Sequence, residues 1–391
     1  MAEILPRLIE ALRERLPEAV ALRHRLHAHP ELGNQELRTH ELLAEALGVK
    51  GRRVAGTGLL LRVGATTGPA VAVRAEMDGL PVAEATRAPF AAPGGVMHAC
   101  GHDVHMAALV ALTRAARAVR AELAVPLVAL FQPSEENHPS GAERIVAEGA
   151  LAEAGVRAVA AVHVHPTVPW GAVAVDEGPV NAALDHLRVV VDGAGGHAAY
   201  PHEARDPVLA LSQIVVSLQQ VVSRRMDPTD EAALTVGWLR AGSADNVIPD
   251  RAEAGGTLRV LQPDARATLL DAVRQVVEHT ARAHGCTARV EVTVGEPAVV
   301  NDATLARTVR ALLPLAGLTA AAELRSCGSD DFGYFAATAP SLMMFLGLRG
   351  APGDRGRSLH HPQFLPPDEA VGAVAHAQAT AYAAAAQATS A

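Results

Sequence analysis

Residues 97–137 read MHACGHDVHMAALVALTRAARAVRAELAVPLVALFQPSEEN, and three kinds of structure succeed one another in that stretch. MHACGHD is polar and broken by Gly101, as loops are. From there to Arg120 the apolar residues fit a long helix, with Asp103 at its start, where a carboxylate would cap free N–H groups. The run VPLVALF (125–131) is apolar without alternation, the pattern of a strand buried on both faces. It ends abruptly at QPSEEN. Helix, buried strand and polar loop in succession form one repeat of an α/β fold with a mixed, mostly parallel sheet.

Working outward, residues 4–28 place Ile4, Leu8, Ile9, Leu12 and Leu16 at helical spacing. Strands are expected at 58–63, 70–74 and 158–164, and a helix at 141–149. Near residue 181 the pattern changes. Strand 186–191 leads into the turn-rich GAGGHAAYPH (193–202), then helix 207–223, strands 234–240 and 252–260, helix 265–284 and strand 288–294. That β-α-β-β-α-β order is ferredoxin-like. The α/β signals then resume with helix 302–316, a helix after Ser329, strand 341–347 and helix 367–386. The expected organisation is a catalytic domain in two parts, 1–181 and 295–391, split by an inserted α+β domain at 182–294.

Composition narrows the functions open to such a chain. Its 391 residues carry 34 Lys+Arg against 42 Asp+Glu, a net charge of −8, which argues against nucleic acid and anionic membrane as partners. Almost every base is Arg, with Lys50 the only lysine; with the abundant Ala this reads as genome composition. Cys100, Cys286 and Cys327 are too few for a disulfide framework and point to a reducing compartment. The charged N-terminus lacks a signal-peptide core. The uncharged stretches 158–175 and 370–391 are not apolar enough to span a bilayer. A cytoplasmic protein is expected, and no G-x-G-x-x-G opens a helix to suggest a dinucleotide. Its 18 histidines stand out.

Metal-capable residues gather after the apolar strands, where open α/β sheets form their ligand sites. Cys100 and His102 flank Gly101. Glu135 and Glu136 follow strand 125–131, His163 and His165 lie in VHVHP, and His360 and His361 in SLHHP. Taken singly each has a plainer reading: a surface histidine, a small buried cysteine, a solvated acidic turn. Together they are the donors that divalent ions of the zinc and manganese kind accept.

Ten segments then occur in order. They are RHRLHAHPELGNQE (23–36), RAEMDGLPVAE (74–84), MHACGHDVHMA (97–107), FQPSEEN (131–137), HVHPTVPWG (163–171), GAGGHAAYPH (193–202), DNVIP (245–249), GTLR (256–259), GSDDF (328–332) and LHHPQF (359–364). On these the chain resembles the M20 metallopeptidases, in particular the amidohydrolase branch that includes N-acyl-amino-acid amidohydrolases, hippurate hydrolases and auxin-conjugate hydrolases. The resemblance implies two divalent metal ions (Zn²⁺ or Mn²⁺, with Co²⁺ or Ni²⁺ as substitutes) held by Cys100, His102, Glu136, His163 and His360. It makes Glu135 the general base and gives the inserted domain the role of a lid that commonly dimerises. It assigns His197 to the oxyanion, from the partner subunit in dimeric relatives, and Asn246 and Arg259 to the substrate, Arg259 pairing with the carboxylate of an N-acyl amino acid. His163 is chosen over His165 by its distance from Pro166, and His360 over His361 by the preceding Leu359.

Two positions depart from the family pattern: Glu76 stands where Asp is usual, and Asp330 where Glu is usual. Each keeps charge and changes length by one methylene, so adjusted geometry around the ligands is expected. The implied reaction is hydrolysis of an N-acyl amino acid to a carboxylic acid and an amino acid. Two alternatives stand beside it: a dipeptidase or carboxypeptidase of the same family, and a metal-binding protein without catalysis that uses the lid for interaction.

Overall fold

The computed structural model describes residues 4–390. Contacts divide the chain into two compact units. The first runs to Gly178 and resumes over Val300–Leu324 and from Tyr334 onward; the second comprises Pro179–Val299 and Arg325–Gly333.

In the first unit an eight-stranded sheet has the order Arg52–Val54, Gly58–Val63, Leu127–Gln132, Ala70–Glu76, Val156–Pro169, Ser341–Arg349, Ala172–Ala174, Thr319–Ala320. The central four strands, from Leu127–Gln132 to Ser341–Arg349, are mutually parallel. Gly58–Val63 joins antiparallel at one side. Every residue of Ala70–Glu76 and Leu127–Gln132 is buried, as an apolar run without alternation requires.

The helix His102–Ala118 buries most of its length beneath this sheet. The C-terminal helix Glu369–Ser390 packs against it, and Ala370, Val371, Val374, Ala375, Ala377 and Tyr382 are all inaccessible. The uncharged, Ala-rich end of the chain is therefore a core helix, its small side chains permitting close approach on several sides. No helix among the described residues is long and apolar enough to cross a membrane.

The expected single helix at 4–28 is two, Ile4–Arg13 and Leu16–His27, with Pro17 in the first turn of the second. Asp103 does not cap the helix it opens. Gly101, at φ 86°, holds the cap position, and the Asp103 carboxylate turns inward to Arg23 and His27. The helix expected after Ser329 amounts to Gly333–Ala336.

The second unit contains Ala183–Asp192, Pro207–Arg225, Ala232–Ala241, Arg251–Val260, Pro263–Ala283 and Thr287–Val294, in the order strand, helix, strand, strand, helix, strand. The four main strands form an antiparallel sheet with Arg251–Val260 and Ala183–Asp192 in its middle. Leu211, Ile214, Leu218, Val273 and Val277 of the two helices pack with Val189, Val191, Leu258 and Val260 of the strands. Arg188, Asp192, Arg251, Glu253, Arg289 and Glu291 form a ladder of exposed ion pairs across the strands. The segment Arg325–Gly333, carrying the GSDDF motif, groups with this unit and not with the part C-terminal to residue 295. Ala182 donates to Ser326 and Gly328 carbonyls, and Ser326 donates to Val180.

Candidate metal centre

Four chain segments converge at the carboxyl end of the parallel strands in the first unit. The turn Cys100–Gly101–His102 lies against the Val156–Pro169 strand so closely that a Cβ on Gly101 would meet Val164 Cγ2 at 2.7 Å. Only glycine combines that approach with the left-handed backbone. Cys100 Sγ then stands 3.4 Å from His163 Nε2, and the His102 and His163 rings are 5.9 Å apart, edge to face. His163 lies within its strand, which continues to Pro169, and not at the strand's end. Donor atoms of Cys100, His102 and Glu136 all lie within 4.8 Å of one another.

Glu135 and Glu136 ride on the loop after Leu127–Gln132. Glu36 anchors this loop, accepting the Ser134 amide at 2.8 Å and the Thr57 hydroxyl at 2.6 Å. Asn34 donates to Ser134 Oγ, and Arg144 in turn holds Asn34. Glu136 Oε1 comes within 3.2 Å of His360 Nε2, and Glu135 Oε2 within 3.9 Å of His102 Nε2. His360 reaches this position with φ at 65° and its amide on the Ala99 carbonyl. Of each histidine pair, His163 and His360 come to the cluster. His165 instead accepts from Thr167, and His361 accepts the Gln363 amide.

Asp78, which in the sequence is only one residue of RAEMDGLPVAE, organises the centre. Its carbonyl faces His102 Nδ1 at 2.9 Å and His98 Nδ1 at 3.1 Å, and its carboxylate accepts the Glu136 amide at 2.9 Å. With Nδ1 held, His102 points Nε2 into the cluster, where it is buried with no hydrogen-bond partner among the described residues. An imidazole nitrogen aimed at a thiol and two carboxylates without a partner suits a divalent ion. A second grouping, Glu76, His102, His105 and His163, is also compact. It does not suit an ion, because both oxygens of Glu76 are taken by Arg74 and His105, and both nitrogens of His105 by Glu76 and the Val164 amide.

The protonation pattern carries the same message. Burial pushes the Cys100 thiol well above its usual range, and the nearby Glu136 and Glu135 raise it further. Burial also holds His163 well below the usual range. His102 resists its burial because Asp78 and Glu76 stabilise its charge, lifting it to about 9. A buried thiol and imidazoles set beside carboxylates are donors that a divalent cation accepts.

The remaining expected site residues belong to the second unit. His197 pairs with Val247 in a short ladder, and the neighbouring Ala198 amide donates to the Asn246 carbonyl. His197 Nδ1 accepts the Ala199 amide at 3.1 Å, which leaves the ring proton on Nε2. Arg259 is half-buried on the Arg251–Val260 strand and donates to the Cys327 carbonyl at 2.9 Å.

A model of peptidase family M20/M25/M40 matches residues 72–382. The chain is 34% identical over 359 residues to an N-acetylcysteine deacetylase of Bacillus subtilis, covering 90% of this chain and 92% of that one. It is 38% identical over 343 residues to IAA-amino acid hydrolase ILR1-like 2 of Arabidopsis thaliana, covering 84% and 76%. Among solved structures, a dinuclear metal-binding M20 peptidase of Bacillus subtilis superposes with a TM-score of 0.84 at 30% identity, covering 96% of this chain and 99% of that one.

Proposed function

Because the chain belongs to peptidase family M20/M25/M40, we propose that it is a two-metal amidohydrolase cleaving N-acyl amino acids to a carboxylic acid and a free amino acid. What supports this reading is that Cys100, His102 and Glu136 bring donor atoms within 4.8 Å of one another, with His163 3.4 Å from Cys100 and His360 3.2 Å from Glu136. These five residues would hold two divalent ions, zinc or manganese best matching thiolate, imidazole and carboxylate, with cobalt or nickel as substitutes. The ions, when bound, supply Lewis acidity and make a water acidic enough to attack near neutral pH.

The chain's own groups then do the rest. Glu135, beside the cluster, accepts the attacking water's proton and returns it to the leaving amine. His197, with its proton on Nε2, is the donor for the developing oxyanion. Arg259, oriented by the Cys327 carbonyl, pairs with the substrate carboxylate, and Asn246 adds a contact to the substrate. The second unit serves as a ferredoxin-like lid inserted into the catalytic domain. Homodimerisation through it is supported by its exposed apolar residues, Trp238 and Leu239 on the edge strand and Leu209 and Val216 on a helix. A cytoplasmic location suits three unpaired cysteines.

The test is a substrate panel on metal-reconstituted enzyme. N-acetyl and N-benzoyl amino acids are expected to turn over faster than dipeptides. Preferred dipeptide cleavage would make the protein a peptidase, and no turnover of any amide by loaded protein would leave only metal binding.

A further inference from the structure

The strand Val156–Pro169 runs beside Ala70–Glu76 only as far as the Arg74–Ala161 pair, whereas Ala70–Glu76 continues along Leu127–Gln132 until Glu76 faces Gln132. Beyond that parting, the amide of Val164 is taken by a side chain: it donates to His105 Nε2 at 3.0 Å. A ring nitrogen that accepts an N–H carries no proton, so the proton of His105 sits on Nδ1. That atom faces Glu76 Oε2 at 2.8 Å, and Arg74 holds the other oxygen of Glu76. Arg74 is itself fixed by Gln132 Oε1 at 2.8 Å. All these side chains are fully buried. Val164 directly follows His163, and its carbonyl lies 2.7 Å from His163 Nδ1.

We propose that Glu76 and His105 are positioning residues for the metal centre. Glu76 fixes His105 as the Nδ1–H tautomer, and the Nε2 lone pair anchors the Val164 peptide, so that His163 keeps Nε2 toward Cys100. The opposite tautomer would set two N–H groups against each other in a buried place, where neither has water to turn to. The extra methylene of Glu76 matters here. The strand ladder fixes its backbone, so an aspartate would withdraw the carboxylate by about 1.5 Å, one carbon–carbon bond, and lose His105.

The inference rests on His163 being a metal ligand, and the test separates the two. In metal-free protein labelled with ¹⁵N-histidine, with His105→Gln to assign the signal, His105 is expected as the Nδ1–H tautomer at pH 8. An Nε2–H tautomer would overturn the proposal without involving any metal. Cobalt(II) affinity, read from its absorption in competition with a chelator, is expected to fall roughly 10–100-fold for one ion in Glu76→Asp and in His105→Phe. Val110→Ala, a cavity further along the same helix, should lower Tm and leave that affinity unchanged. Wild-type affinity in both site variants would refute the positioning role. Failure of the wild-type protein to take up cobalt would overturn the metal reading itself.

Discussion

Gly141→Ala sets two physical effects against each other beside the loop that carries Glu135 and Glu136. Gly141 opens the helix Gly141–Ala147, where alanine is intrinsically preferred by about 1 kcal/mol. Yet its amide donates to the Ser134 carbonyl at 2.9 Å, and a Cβ there would lie 1.7 Å from the Pro133 carbonyl oxygen. The obstacle is backbone, so relief requires the loop to retreat by about 1.5 Å, and overpacking of this kind costs about 1–3 kcal/mol. A net loss of about 0–2 kcal/mol is expected in urea unfolding. Pro133 lies two residues before Glu135, and displacements near 1 Å at a reacting centre cost on the order of 100-fold in rate. Hydrolysis of an N-acetyl amino acid should fall by about that factor at saturating metal. A variant as fast as wild type and more stable by the helix preference would refute the claim that this loop is sterically set.

Other perturbations test separate parts of the structure. His27 is lifted to about 9: burial opposes its charge, but Asp103 and Glu84 outweigh it. Its contribution, about 3 kcal/mol at 1.36 kcal/mol per unit, is complete below about pH 6.5 and is lost as pH rises through 9. The wild-type urea midpoint should therefore drop more between pH 6.5 and 9.5 than that of His27→Gln, and equal drops would contradict the assignment. Arg23→Met leaves Asp103, whose side chain is inaccessible, without its guanidinium partner and should destabilise by about 3–5 kcal/mol in the same assay. Arg259→Ala should lower kcat/KM for an N-acetyl amino acid by roughly 10–100-fold and spare an N-acyl amine lacking the carboxylate; equal losses on both would remove Arg259 from carboxylate recognition.

The regular elements of both units were legible where pattern and length agreed. The runs at 125–131 and 70–74 stand out because strands buried on both faces are almost wholly apolar, and the exception, Arg74, is held by Gln132 and Glu76. The helix Leu37–Leu47 escaped notice because its sequence, LRTHELLAEAL, mixes charges among the leucines and buries only a narrow face. Strands of two or three residues, such as Thr319–Ala320 and Ala172–Ala174, are too short to carry a period. Around the candidate centre, donor types and their places after strands could be read directly. What could not be read was which groups are already satisfied. That Glu76 and His105 are spoken for, and that Asp103 faces Arg23 eighty residues away, depends on pairings across the fold that leave no local trace.

Glu135→Gln, assayed with its metal content measured in the same sample, tests the account most directly. The side chain lies 3.9 Å from His102 Nε2 and is the proposed proton carrier, while the ligand set leaves it out. Two bound divalent ions per chain are expected, with a kcat on N-acetyl amino acids lowered by about 100- to 10,000-fold. Wild-type turnover with both ions in place would contradict the proton-carrier role.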